Sequence, residues 1–282
     1  MTIEQKTSAD GFPKAGELIE ITGTGALEAS DRVVLNLLYQ HAHDSGHFAE
    51  PDMVFELPIT DLLYSSHVGT ERIRGTLARL LAIQVQAPIK HPRTGRPAVL
   101  MTHLFSSFVI PEKAEPGNPA TVHYRIPVDL LPILLASNRW GRIKGEIVCA
   151  MSSKYAIALY ELIQLRANMD RSVEVFSVAR FRDLLGVPEG TNKRGNDFVR
   201  AVIEPAVLEV NALSDLSVAI EVRRRSIRAP IETLAVTWWR KEGDPFREAI
   251  RECQRPKLGR RARLAAQIEA RIDPPHGFGR DG

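Results

Sequence analysis

A shift of 122 residues lays one half of this chain on the other. The segment Asp31-Arg-Val-Val-Leu-Asn-Leu-Leu-Tyr39 falls on Ser153-Lys-Tyr-Ala-Ile-Ala-Leu-Tyr-Glu161, so that Leu35 meets Ile157, Leu37 meets Leu159 and Leu38 meets Tyr160. Both segments place apolar residues three and four apart, the spacing of one helix face. Ser30 and Ser152 stand near their starts as candidate N-caps. The same shift carries Asp61-Leu62-Leu63 onto Asp183-Leu184-Leu185, Arg72 onto Arg194, Leu77 onto Val199, Leu80 onto Val202 and Leu81 onto Ile203. A gap-free match over three segments predicts a duplicated unit of three helices. The alternative is a coincidence between amphipathic patterns.

A β-hairpin is predicted after each triplet. In the first half Ile83, Val85 and Ile89 lead into the turn-rich run from His91 to Pro97, a second apolar run returns from Val99 to Ile110, and Val122 to Ile126 is a third strand. In the second half Val218, Ile220 and Val222 alternate with Ser217, Ala219 and Glu221, then Arg223 to Pro230 turns, and a strand returns from Ile231 to Trp239. Alternation and β-branched content carry these readings.

Three helices followed by a hairpin is the order of a winged helix, a helix-turn-helix variant whose third helix enters a groove of DNA. The expected fold is therefore α+β: two tandem winged-helix domains (helix-turn-helix plus β-hairpin) related by internal duplication. Residues 1–20 are read as a flexible N-terminus. Residues 21–139 form the first domain, assigned to dimerisation and a secondary DNA contact. Residues 140–241 form the second and main DNA-binding domain, and 242–282 a basic tail. Glu112 to Pro119 reads as a loop.

Charge agrees with that division of labour. Residues 1–138 hold 11 Lys+Arg against 15 Asp+Glu, and residues 139–282 hold 26 against 19, so a net +3 conceals −4 and +7. A polyanion meets the second half more readily. The third helix there is predicted to open near Thr191, with Lys193, Asp197 and Arg200 on one face beside Arg194 and Asn196, and with Phe198, Val199, Val202 and Ile203 packing inward. Guanidinium groups suit guanine and phosphate, and a side-chain amide suits adenine. The plain alternative is a solvated amphipathic helix. Pro205 implies a kink, or a helix that starts there.

The hairpin tip carries Arg223, Arg224, Arg225 and Arg228 with no acid among them, a set able to neutralise several phosphates. Otherwise it is a charged turn that blunts a sheet edge. The first half offers a weaker set: Arg72, Arg74 and Arg79 on its third helix, and Arg93 and Arg96, with Lys90 and His91, on its hairpin loop. After Gly243 the tail holds Lys257, Arg260, Arg261 and Arg263, then Leu264, Ile268 and Ile272 at helical spacing. It reads as an accessory helix, a further phosphate contact or a partly disordered segment.

Other classes are disfavoured. Cys149 and Cys253 show no metal spacing and read as reduced cytosolic thiols. Met1 to Lys14 lacks the apolar core of a signal peptide, and no apolar run suits a membrane span, so a cytoplasmic protein without a membrane partner is expected. His41-Ala42-His43 has the His-hydrophobic-His pattern of rolling-circle nucleases, with Tyr39, Tyr155 or Tyr160 as imaginable nucleophile. That motif belongs on a strand, where both rings point one way, and here it ends a helix. Phosphate-loop, zinc-protease and Cys-x-x-Cys motifs are missing, and Gly23-Thr-Gly25 is half a dinucleotide fingerprint. No catalytic residue, metal or cofactor is expected.

The stretch from Ser153 to Ile163, the run Phe181-Arg-Asp-Leu-Leu-Gly-Val187, and above all the run from Asp197 through Pro205 to Asn211, with Ser214-Asp215-Leu216 and its hairpin, resemble the second domain of iteron-binding plasmid replication initiators. The resemblance is good from Lys154 to Trp239, weaker over residues 21–138, and does not cover the tail after Lys241. It accounts for Pro205. It implies two winged-helix domains bound to directly repeated origin sequences (iterons), monomers that initiate replication, dimers that repress their own gene at its operator, and recruitment of host initiator and helicase proteins. The arginine-rich tip departs from that family. A chromosomal transcription regulator of the same fold is the alternative, and a metal-dependent rolling-circle nickase a remote one.

Overall fold

The computed structural model describes residues 11–264, apart from 65–68, 92, 113–119, 168–170 and 227–228. Its first elements lie inside the segment expected to be flexible. Strand β1 (Phe12–Ala15) and the short helix α1 (Gly16–Ile19) are packed, with Phe12, Ala15, Leu18 and Ile19 all buried. Strand β1 pairs antiparallel with β7 (Trp140–Ile143), Phe12 opposite Ile143 and Ala15 opposite Trp140. The partner strand lies over a hundred residues away, so nothing local announces the pairing. The expectation of flexibility is thus wrong for residues 12–20, and its first ten residues lie outside the described ones.

The duplication is visible in the fold. Helix α2 (Ala29–Asp44) is followed by β2 (Phe55–Pro58), a 3-10 turn (Ile59–Leu62), α3 (Thr70–Ala82), the hairpin β3 (Gln84–Lys90) and β4 (Pro97–His103), then β5 (Ser107–Val109) and β6 (Thr121–Arg125). After α4 (Leu131–Ala136), β7 and α5 (Gly145–Ala150), the order returns: α6 (Lys154–Arg166), β8 (Val173–Ser177), α7 (Val178–Leu185), α8 (Gly195–Phe198), a π turn (Val199–Ile203), α9 (Glu204–Leu213), β9 (Leu216–Arg223) and β10 (Thr233–Arg240). Each half holds a three-stranded antiparallel sheet of the same order, β2-β6-β5 and β8-β10-β9. These are two winged-helix domains.

Four details differ from the sequence expectation. Helix α2 starts at Glu28, not Ser30: Glu28 and Asp31 form a reciprocal capping box, with Glu28 N–H donating to Asp31 at 2.9 Å, and Ser30 is buried inside the helix. Helix α6 is capped by Ser153, not Ser152, through N–H donors of Tyr155 and Ala156. The middle helix of the first half is only the 3-10 turn, which ends at its C-cap, Leu63. By sheet order the first-half equivalent of the β9–β10 hairpin is β5–β6, and β3–β4 is an inserted two-stranded ribbon. Most of the β5–β6 connection, 113–119, lies outside the described residues.

The halves share one apolar core. Helix α6 is buried along nearly its whole length, from Ala156 to Arg166, and packs on α2, α7, α9 and β7. Burial on all sides takes in Glu161, Gln164 and Arg166 as well as its apolar face. Several polar groups inside this junction bond to one another, although Arg32 Nε and Ser30 Oγ are buried without a partner among the described residues. Lys14 Nζ donates to Asn36 and Glu161, Asn36 donates to Glu161, and Arg166 donates to Glu20 and Glu174. A further helix, α10 (Gly243–Gln254), was not foreseen and packs on α9 and α5. Among the described residues no helix is long and apolar enough to cross a membrane.

Candidate nucleic-acid interface

Helix α7 and the helix that begins at Gly195 are the two arms of a helix-turn-helix. Ser177 caps α7 by accepting from Arg180 N–H at 3.2 Å. Gly186 ends it with φ +67°, the left-handed conformation that favours glycine, while Val187 N–H returns to Arg182 O at 3.0 Å. The turn is held by Arg182, which donates to Asn192 O at 3.0 Å and to Thr191 O at 2.5 Å. Its guanidinium also lies 4.8 Å from the ring centroid of Phe198, inside the recognition helix. Arg182 was missed in the sequence, where it is one arginine among many on a helical face.

The recognition helix opens later than the sequence suggests. Arg194 is its N-cap and Lys193 precedes it in the turn, so Lys193 does not share a helix face with Asp197 and Arg200. Lys193, Arg194, Asn196 and Arg200 are exposed, while Phe198, Val202 and Ile203 are buried against the domain core. Arg200 is 82% exposed and 3.7 Å from Asp197, one turn before it. Pro205 neither breaks nor sharply restarts the helix. Glu204 N–H bonds back to Val199 O across the π turn, and Pro205 takes a first-turn place in α9, where its missing N–H costs no bond.

The wing closes over the start of this helix. Arg224 donates from Nη2 to Asn196 Oδ1 at 2.7 Å and from Nη1 to Ala229 O at 3.2 Å. Ile231 packs against Gly195, where a Cβ would meet it at 2.9 Å. Arg223 pairs with Glu221 at 3.0 Å, and Arg225, 85% exposed, pairs with Glu232 at 2.5 Å. The tip thus has acids beside it, Glu221 on β9 and Glu232 just before β10. Exposed pairs of this kind are worth about 1 kcal/mol or less, so a phosphate can displace the carboxylate. Arg228 lies outside the described residues.

The first-half set divides. Arg72 is exposed on α3, and Arg93 and Arg96 are exposed at the tip of the inserted hairpin, whose turn is closed by His91 N–H to Arg96 O at 2.8 Å. Arg74 donates to Pro111 O and Glu112 O, tying α3 to the end of β5. Arg79 grips the fully buried carboxylate of Asp31 with two bonds of 2.9 and 2.7 Å, and so holds α3 to α2, a structural role that the sequence does not suggest. The structure also occupies most of the basic tail. Arg260 is buried and, with Arg255 and Arg263, surrounds Glu252, while Lys257 donates to Met151 O at 2.8 Å. Arg261 is exposed, and Ile268 and Ile272 lie outside the described residues.

The imagined nuclease residues sit in a poor setting for that chemistry. Tyr39 is buried, donates to Leu104 O at 3.1 Å, and burial pushes its phenol well above the usual tyrosine range. His41 and His43 lie in the last turn of α2, and His41 is 2.8 Å from the Tyr124 hydroxyl.

Comparison with known proteins gives two family matches and several structural ones. A family model described as Initiator Replication protein, WH1, matches residues 14–164, and one described as Initiator Rep protein, WH2, matches residues 177–238. No curated protein sequence matches this chain. Among solved structures, Pi initiator protein in complex with iteron DNA superposes with a TM-score of 0.61 at 15% identity, covering 84% of this chain and all of the other. Domains 2 and 3 of RctB give 0.47 at 13% identity over 75% of this chain and 82% of theirs. The WH1 domain of a replication protein isolated from a multiple sclerosis patient gives 0.27 at 16% identity over 38% and 80%.

Proposed function

Because this chain belongs to the initiator replication protein family, we propose that it binds double-stranded DNA sequence-specifically and initiates plasmid replication at directly repeated origin sequences. It also represses its own gene as a dimer and recruits host initiator and helicase proteins, and it performs no catalytic step of its own. The observation that carries this reading is the convergence of exposed Arg194, Asn196 and Arg200 with the arginine wing at one edge of the second domain. One element presents donors for base edges, and the other presents cations for the flanking phosphates. The likeness to Pi initiator protein, solved with iteron DNA, supports the same reading. Arg72, Arg93 and Arg96 supply the weaker contacts of the first domain. The burial of Tyr39 supports leaving out a nickase.

The test is a footprint of the purified chain on the DNA flanking its gene. Protection repeated at regular spacing in direct orientation is the expected result. A single palindromic operator bound by a stable dimer points instead to a transcription regulator, and metal-dependent strand nicking to an enzyme.

A further inference from the structure

The bond between Arg224 and Asn196 joins two groups that each look, alone, like a DNA contact. A guanidinium has five donors and no acceptor, so the amide oxygen of Asn196, not its nitrogen, must face the wing. Three things hold it there. Arg224 is anchored a second time on Ala229 O, across the wing turn. Ile231 lies against Gly195, where an added Cβ would meet its Cδ1 at 2.9 Å, so the wing packs directly on the first helical turn. Arg182 fixes the preceding turn from the other side.

An asparagine that reads adenine presents both amide atoms edge-on, the oxygen accepting from N6 and the nitrogen donating to N7. With its oxygen turned to the wing, Asn196 meets a groove nitrogen first. Resting on the DNA-binding reading above, we infer that Arg224 is a positioning residue rather than a phosphate contact. By turning the Asn196 oxygen to the wing it leaves the amide N–H groups to lead into the groove, which favours the two-acceptor edge of guanine, N7 and O6, over adenine, whose N7 stands beside the N6 donor. Wing and recognition helix then act as one reading head: a shift of the wing changes which base the helix prefers.

The experiment is selection of binding sites from randomised duplexes with the full chain and with Arg224→Ala, Arg224→Lys and Asn196→Ala, together with the salt dependence of binding. At the base pair whose preference Asn196→Ala flattens, the unaltered chain selects guanine. Arg224→Ala frees the oxygen and shifts that position towards adenine by about tenfold, the scale of one bidentate contact. Arg224→Lys keeps the original preference, because an ammonium still donates to the same oxygen. The inference is overturned if Arg224→Ala weakens all duplexes alike and lowers the salt slope by about one, the mark of a phosphate contact. It is equally overturned if adenine is already preferred at that position, or if Asn196→Ala flattens none. If the unaltered chain enriches no sequence, the DNA-binding reading itself fails and takes the inference with it.

Discussion

Lys14 Nζ lies 3.0 Å from Glu161 Oε1, with both side chains buried and 147 positions of chain between them. The contact joins β1 to α6 and so ties the N-terminal segment to the central helix of the second half. Burial pulls the ammonium below its ordinary value, against the attraction of Glu161. Replacing Lys14 with Met takes from the buried carboxylate its ion-pair partner, leaving it the Asn36 bond and the attraction of Arg32, and should cost about 3 kcal/mol of unfolding free energy in urea titrations. The double variant Lys14→Met with Glu161→Leu should recover only part of that loss, since it removes both charges of the pair but takes from buried Arg32 the attraction of Glu161 and from Asn36 its acceptor. No recovery in the double variant would mean that packing, not charge, sets the cost.

Glu20 supplies a pH dependence of known sign. Burial raises its carboxyl, but the hydrogen bond from Arg166 and the attraction of Arg166 and Arg139 outweigh this and hold it below the usual value. A depressed folded value stabilises above the unfolded carboxyl range, about pH 4.3, and that stability drains as pH falls through the lower folded value. Glu20→Gln should therefore lower stability at neutral pH and flatten the acid limb. Urea midpoints of the two proteins should converge on acidification; parallel curves would exclude Glu20 as a source of the slope.

Arg79 and Arg72 separate structure from binding on the same helix. Arg79→Ala leaves Asp31 buried without its guanidinium and should cost about 1–3 kcal/mol of stability, less than a fully buried pair because Arg79 is partly exposed. Arg72→Ala should leave the melting temperature unchanged and weaken DNA binding modestly. Equal melting temperatures for the two variants would restore Arg79 to the list of DNA contacts.

Gly186 is a test of the helix-turn-helix joint. Alanine there must adopt φ +67°, and its Cβ would meet Arg32 Nη2 at 2.6 Å and Thr24 Oγ1 at 2.8 Å. Arg32 is buried and donates to Thr24, so it has little room to retreat. Gly186→Ala should cost more than about 1 kcal/mol in stability and weaken specific binding beyond that, because the turn that aims the recognition helix is displaced. Unchanged binding in a destabilised variant would uncouple this joint from the interface.

Arg194→Ala and Arg200→Ala should each cost about 1–3 kcal/mol at the specific site and relax base preference. Arg223→Ala with Arg225→Ala should instead flatten the salt dependence, with sequence preference kept. An unchanged slope would remove the wing tip from the interface.

Some of this was written along the chain, and some was not. The 3.6-residue rhythm around Leu35, Leu38, Ile157 and Leu159, the alternation of Val218, Ile220 and Val222, and the doubling at a fixed offset are local or self-referential patterns. They sufficed for two winged helices and for the placement of arginines on the third helix and the wing. Pairings between distant segments were not legible, because hydrogen-bond partners and buried charges carry no mark of whom they will meet. Hence the sequence alone reads β1 as a flexible end, β3–β4 as the wing of the first half and Arg79 as a DNA contact, and leaves the tail that holds Arg260 open. A guanidinium on a helix looks the same in sequence whether it faces solvent or a buried carboxylate. Only the packed chain, by placing Asp31 under Arg79, Glu252 beside Arg260 and Asn196 under Arg224, decided which arginines have a partner within the fold.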